Sequence, residues 1–279
     1  MTSFNFNKNP KEHLRCPYLL ATIWQNRSLV YELIKRDFSG RYRGSFGGVA
    51  WSFVQPLFML TVYTIAFGVI LKARWGFSGS TKDYVLMLFA GLIIFNTFSE
   101  VLIKSTTLIT SNPNFVKKIV FPLELLPVVC VCTAIIHTLI GVAVWVLGYV
   151  VLYGSLQSTV ILFPLVLFCF TPLLLGLSWL LSAIGVSFRD ISQVAGMLNH
   201  ALLFLTPIFY SIEAAPPLLQ SLLMLNPLTF LVEQFRLVLF IGVVPAIKSL
   251  ALYFALAITF SFGALIIFRR LRKNFADSL

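Results

Sequence analysis

The stretch Leu123–Tyr153, LELLPVVCVCTAIIHTLIGVAVWVLGYVVLY, decides the fold. It holds no Lys or Arg, and its one acidic residue, Glu124, stands at the edge. About 20 helical residues cross the roughly 30 Å hydrocarbon core of a bilayer, so this stretch spans it with length left to tilt or project. Its apolar residues are continuous and do not alternate in segments of about ten, which argues for a helix and against a barrel strand. Five further runs have the same character: Val49–Leu71, Tyr84–Ile103, Val160–Val186, Ile191–Tyr210 and Leu250–Phe268.

Composition agrees. Of 279 residues, 58% are hydrophobic and 11% charged, against about 25% charged in soluble domains. A soluble chain so apolar would aggregate through its surface. The net charge of +11 would point to nucleic acid in a soluble protein, but the basic residues sit outside the apolar runs. They are read as topogenic, and no nucleic-acid partner is expected. With both termini cytoplasmic, only Lys72, Arg74, Lys82, Arg236 and Lys248 fall in outer segments. The other 16 of the 21 Lys and Arg lie inside. Residues 1–16 are polar, so no cleavable signal is expected.

Ser211–Ser249 breaks the pattern, with Pro216, Pro217, Pro227 and Pro245 among apolar stretches too short to span. Such broken backbone at membrane depth reads as a re-entrant hairpin dipping in from the outer face. The expected fold is therefore all-α and polytopic. It has a cytoplasmic N-terminus with an amphipathic helix (1–48) and a six-span domain with a re-entrant hairpin between spans five and six (49–268). A basic cytoplasmic tail (269–279) follows. The amphipathic helix is read over Trp24–Phe38: Val30, Leu33, Ile34 and Phe38 recur at helical spacing, and Arg27, Glu32, Lys35 and Arg36 take other faces.

No catalytic set emerges. His13, His137 and His200 are scattered, and the last two are read as helix–helix hydrogen-bonding residues. Cys130 and Cys132 are two apart and share no helix face, so neither a metal site nor a disulfide is expected. Glu100 and Lys104 are four apart and positioned to pair on one helix. No Gly-Lys-Ser/Thr sequence exists, so ATP, if it drives this protein, is bound by another chain.

Two inner segments look built for contact. One is Lys35-Arg36-Asp37-Phe38 through Arg41-Tyr42-Arg43-Gly44. In the other, Asn112-Pro113-Asn114 starts a short helix (about 111–121) that mixes Phe115, Val116 and Ile119 with Lys117 and Lys118 before Phe121-Pro122 stops it. Apolar side chains ringed by lysines suit a groove on an acidic partner. Aromatic residues form 15% of the chain. Trp75, Trp145, Tyr149 and Tyr153 fall near interfaces, where aromatic belts are expected. Trp51, Gln55, Tyr63, Phe209 and Tyr210 are the candidates for a sliding path, because aromatic faces stack on sugar rings.

Several motifs together identify a resemblance. Arg41-Tyr42-Arg43-Gly44-Ser45 and Trp51-Ser52-Phe53-Val54-Gln55-Pro56-Leu57 resemble the start of polysaccharide-export permeases, the type-2 ABC exporters of O-antigen, capsule and teichoic acid. Asn112–Lys118 with Phe121-Pro122-Leu123-Glu124 is similar to that family's second signature, Glu124 standing where many relatives have a basic–acidic pair. Phe188-Arg189-Asp190-Ile191, Thr206-Pro207-Ile208-Phe209-Tyr210 and Leu225-Asn226-Pro227 follow in the family's order. The resemblance implies a homodimer in the bacterial inner membrane, docked on two copies of a separate ATPase that carries ATP and Mg. It also implies that Asn112–Lys118 is the coupling helix, with Glu32, Lys35, Arg36 and Asp37 on the interface helix beside it. The substrate would be an undecaprenyl-diphosphate-linked glycan in contact with membrane lipid. Arg41 and Arg43, at the inner interface, would meet the lipid diphosphate.

Two other classes compete. An ion-coupled secondary transporter or channel requires an ionisable site at mid-membrane, and the ten acidic residues place only Glu100 and Glu124 at span edges. A membrane-embedded glycan-modifying enzyme requires clustered His, Asp or Arg on one face.

Overall fold

A computed structural model describes residues 16–73, 80–117 and 121–275, and every regular element among them is helical. The expectations for Lys8, Lys11, His13, Arg15, Arg74, Trp75 and Lys118 lie outside the described residues. In chain order the helices are α1 (Cys16–Gln25), α2 (Arg27–Gly40), α3 (Trp51–Tyr63) and α4 (Thr81–Thr106). Next come α5 (Pro113–Lys117), α6 (Leu125–Tyr153), α7 (Phe163–Ser187) and α8 (Ile191–Leu205). The last are α9 (Pro217–Leu225), α10 (Pro227–Arg236) and α11 (Ile247–Leu271).

Five helical stretches are long and apolar enough to cross a membrane: Gly48–Ile70, Thr81–Thr106, Leu125–Tyr153, Ser158–Ser187 and Ile247–Asn274. The fifth run of the sequence is helical only over the 15 residues of α8, about 22 Å at 1.5 Å per residue. Pro207 is the reason: the residue before a proline is driven out of the α region, and Thr206 is extended (φ −103°, ψ 134°). Thr206–Tyr210 is consequently not helical.

The Pro-rich segment forms two helices bent by 93°. Asn226 makes the bend. It is extended before Pro227, and its side chain accepts from Leu228 N at 3.0 Å, capping α10. α10 continues through a wider turn to Ile241, and Gly242 ends it at φ 82°, a left-handed conformation that favours glycine.

α4 is the axis of the bundle, buried without a break from Tyr84 to Phe95. Between helices in lipid, association rests on close packing and interhelical hydrogen bonds. Gly185 lets α7 approach so closely that a Cβ there would sit 1.9 Å from Thr106 O of α4. Thr97 and Thr138 hydroxyls join α4 to α6 at 2.6 Å, Ser105 Oγ donates to Ser178 Oγ on α7 at 2.7 Å, and Trp145 Nε1 donates to Leu86 O at 2.9 Å.

A second cluster of buried apolar residues forms the basic end. There Val30 and Leu33 of α2 pack with Ile109, Phe121, Leu126, Phe268 and Phe275. The amphipathic helix therefore sets its apolar stripe on protein. It is also shorter than read: the chain breaks at Asn26 (φ −105°, ψ 22°), whose Nδ2 turns back to Thr22 O at 2.8 Å, so Trp24 belongs to α1. The same end is stapled by Glu124, which accepts from Arg272 Nη1 at 2.9 and 3.0 Å, while its carbonyl accepts from Trp179 Nε1 at 3.1 Å.

α3 stands apart. Of the span Gly48–Ile70, Ser52 alone is buried, and Trp51, Phe53, Leu57, Phe58 and Ile65 are exposed.

Candidate functional site: a charged cavity beside the interface helix

A cavity of about 910 Å³ opens between α2, α3, α4 and α6. Its charged wall comes from one face of α2 and the turn after it. Asp37, Phe38, Arg41 and Tyr42 are one helical turn apart and share that face. Each has a partner on the bundle. Lys104 of α4 donates to Asp37 Oδ2, and Arg41 Nη1 donates to Glu100 Oε1 of α4 at 3.1 Å. Phe38 and Tyr42 flank the imidazole of His137 on α6, at ring separations of 5.3 and 6.3 Å.

His137 Nδ1 lies 2.8 Å from Glu100 Oε2 and 3.3 Å from Arg41 Nη1, so the three side chains meet at one point. Glu100 thus binds His137 from α6 and Arg41 from α2. The pair Glu100–Lys104 expected along α4 is replaced by these contacts, because carboxylates and cations on neighbouring helices come closer. Arg41 is 47% exposed and Lys104 33%, so each ion pair contributes only about 0–1 kcal/mol. Burial pushes the Tyr42 phenol pKa up; Arg41 pulls it down, and Glu100 adds to the rise.

Of the residues singled out in the sequence, Arg36, Asp37, Arg41, Gln55, Tyr63 and Asn112 line this cavity. Glu32 and Lys35 are exposed on α2, and Arg43 and Trp51 are exposed away from the cavity lining. Arg41 is engaged by Glu100, and Arg43 is exposed. His200, expected to bond between helices, instead bonds Gly196 O of its own helix at 2.7 Å.

The short helix α5 covers Pro113–Lys117, inside the 111–121 stretch read from the sequence. Pro113 and Asn114 are exposed, while Phe115 and Val116 are half-buried against the basic-end core. Phe115 stacks on Phe121 at 4.7 Å and carries the Arg36 guanidinium over its ring at 5.4 Å. The cavity wall and α5 thus share Arg36.

Phe209 and Tyr210 sit at the other end of α4. Tyr84 OH donates to Phe209 O at 2.8 Å, and Tyr210 OH donates to Phe204 O at 2.8 Å. Tyr84 and Glu100 are about 24 Å apart along the helix. A row of rings starts from Tyr63 in the cavity lining: Tyr63 to Phe67 at 6.3 Å, Phe67 to Phe209 at 6.0 Å, and Phe209 to Phe204 at 6.0 Å. His137, read from the sequence as a helix–helix hydrogen-bonding residue, does bond from α6 to Glu100 of α4. Phe67, four residues from Tyr63, is what the sequence reading missed, together with the pairing of Lys104 with Asp37.

That end is held by Arg236, 1% exposed. It donates to Met87 O at 3.0 Å, Pro207 O at 2.7 Å, Ile208 O at 2.9 Å and Glu233 Oε1 at 2.8 Å. The cation placed in an outer loop by charge counting is in fact a buried clamp on backbone carbonyls. Among the described residues, no three His, Cys, Asp or Glu are grouped to hold a metal ion.

The chain is 28% identical over 268 residues to an O-antigen export system permease protein, RfbA, of Myxococcus xanthus, covering 94% of this chain and 99% of that one. It is 24% identical over 253 residues to the O-antigen export system permease protein RfbA of Klebsiella pneumoniae, covering 90% and 95%. To the polysialic acid transport protein KpsM of Escherichia coli it is 26% identical over 212 residues, covering 74% and 79%. Residues 28–240 match the ABC-2 type transporter family, from α2 through the cavity to the re-entrant pair, and the chain, a multi-pass membrane transport subunit, belongs to that family.

Proposed function

We propose that this chain is the membrane subunit of an ABC transporter that exports polysaccharide across the bacterial inner membrane, with O-antigen first among the substrates and capsule or teichoic acid next. Relatives named for O-antigen export and polysialic acid transport support the substrate class. The glycan travels on undecaprenyl diphosphate. The observation that carries the reading is the cavity itself: a chamber lined by both cations and carboxylates next to α5, whose lining residue Tyr63 begins a row of aromatic rings. Arg41 and Lys104 suit a diphosphate, and Tyr63, Phe67 and Phe209 offer faces on which sugars stack and slide.

Two copies of the chain pair to enclose the path, which accounts for the exposed α3. Each copy docks through α5 and the outer face of α2 on an ATPase subunit that holds ATP and Mg. Both termini lie on that cytoplasmic side, and this chain performs no catalysis of its own.

Replacing Phe115 and Val116 together by Asp tests the docking. The ATPase should no longer co-purify, while membrane insertion stays normal; retained co-purification overturns this placement of the coupling helix. The Glu100–His137 pair inside the spans favours a second reading, an ion-coupled transporter. Glycan movement by the chain alone in liposomes, with no ATPase present, would select it.

A further inference from the structure

We propose that Asp37 and Glu100 are internal stand-ins for phosphate: a diphosphate headgroup entering the cavity takes Lys104 and Arg41 from them, unpins α2 from α4, and so signals its arrival to α5. This rests on the proposed function and adds to it a mechanism for sensing cargo.

The two ion pairs are crossed. α2 contributes the anion Asp37 and the turn after it the cation Arg41, while α4 contributes the cation Lys104 and the anion Glu100. Each cation of this face is neutralised by one carboxylate from the opposite helix. A ligand that removes both cations therefore cuts both ties at once. A diphosphate matches this demand, since it carries charge on two groups, whereas a single carboxylate could replace only one partner. Phosphate oxygens also accept charge-assisted bonds from guanidinium and ammonium groups more fully than a carboxylate does.

The exchange is feasible because the pairs are open to water. Arg41 is 47% exposed, Lys104 33% and Asp37 27%. The displaced anions keep partners: Glu100 retains His137 Nδ1 at 2.8 Å, and Asp37 turns to solvent. Phe38 and Tyr42 stay against His137, which leaves α2 a pivot when its ionic ties open. Arg36, next to Asp37, lies over Phe115 of α5. A tilt of α2 moves that guanidinium, and with it the helix expected to meet the ATPase.

The test uses the complete complex with its ATPase in nanodiscs, with undecaprenyl diphosphate added to the lipid or omitted. The wild-type ATPase rate should rise about tenfold with the lipid, about threefold for each of the two exposed ion pairs it opens. Asp37→Asn and Glu100→Gln, each of which opens one pair, should raise the rate without the lipid by about threefold and cut the response to it to about threefold. The exchange of partners in the double variant Asp37→Lys, Lys104→Asp should restore the low resting rate, a result that mere structural damage would not give. Free pyrophosphate at the same concentration should do less; equal stimulation would overturn the assignment to a lipid headgroup. If the wild-type complex exports glycan but ignores the added lipid, or if both single variants behave as wild type, the latch is wrong and the export function stands. If no ATPase accompanies the chain, the proposed function itself fails.

Discussion

The guanidinium of Arg36 lies over the ring of Phe115, 5.4 Å from its centroid, and joins the interface helix to the short helix α5. Arg36 also lines the charged cavity, so one side chain touches both the cavity and the helix proposed to dock on the ATPase. The two inner segments that looked separately suited to contact in the sequence are one surface in the folded chain.

Removing that contact should weaken docking without unfolding the bundle. An exposed cation–π pair contributes about 0.5–1 kcal/mol, so Arg36→Ala should loosen ATPase binding by about two- to fivefold. Arg36→Lys, which keeps the charge but loses the flat stacking surface, should fall between. Titration of purified ATPase onto the nanodisc-embedded chain measures this. An unchanged affinity in Arg36→Ala would mean that the two helices act independently.

Arg236 is expected to be the most sensitive position at the far end. Arg236→Met strands the carbonyls of Met87, Pro207 and Ile208 and the carboxylate of Glu233. Loss of a buried charged partner costs about 3–5 kcal/mol. Gly91→Val should act through the same clamp, since a Cβ at Gly91 would lie 2.8 Å from Arg236 Nη2; crowding of this kind costs about 1–3 kcal/mol. Thermal unfolding in detergent should rank wild type above Gly91→Val above Arg236→Met. A wild-type melting temperature for Arg236→Met would show that the clamp carries no stability.

Glu124 offers an internal control on how burial sets the worth of a charge. Its carboxylate is 9% exposed and meets Arg269, 10% exposed, and Arg272, 37% exposed. Glu124→Ala removes the buried carboxylate that both arginines share and should cost more than Arg272→Ala, which removes one half-open pair and should cost no more than about 1 kcal/mol. Equal losses of unfolding temperature for the two variants would contradict this ordering.

Much of the fold was legible because its signals are local. Length and hydropathy mark α4, α6 and α11, and the prolines of 211–249 marked the bent pair. The fifth run was read through Pro207 to Tyr210, and there Pro207 ended the helix at Leu205 instead. The candidate site was legible only in part. Arg36, Asp37, Arg41, Gln55, Tyr63 and Asn112 belong to it. Arg43, two residues from Arg41, is exposed outside that lining.

By itself, the sequence determined which segments are helical and apolar enough to enter a membrane, where proline and asparagine interrupt them, and that the basic residues collect at segment ends. These depend on backbone sterics and on transfer from water, which act residue by residue. Tertiary structure alone decided which charges meet. Arg41 and Glu100 are 59 residues apart, Arg272 and Glu124 148, and Arg236 and Met87 149. Such contacts depend on which helix faces oppose one another, and that is set by the joint packing of the whole bundle.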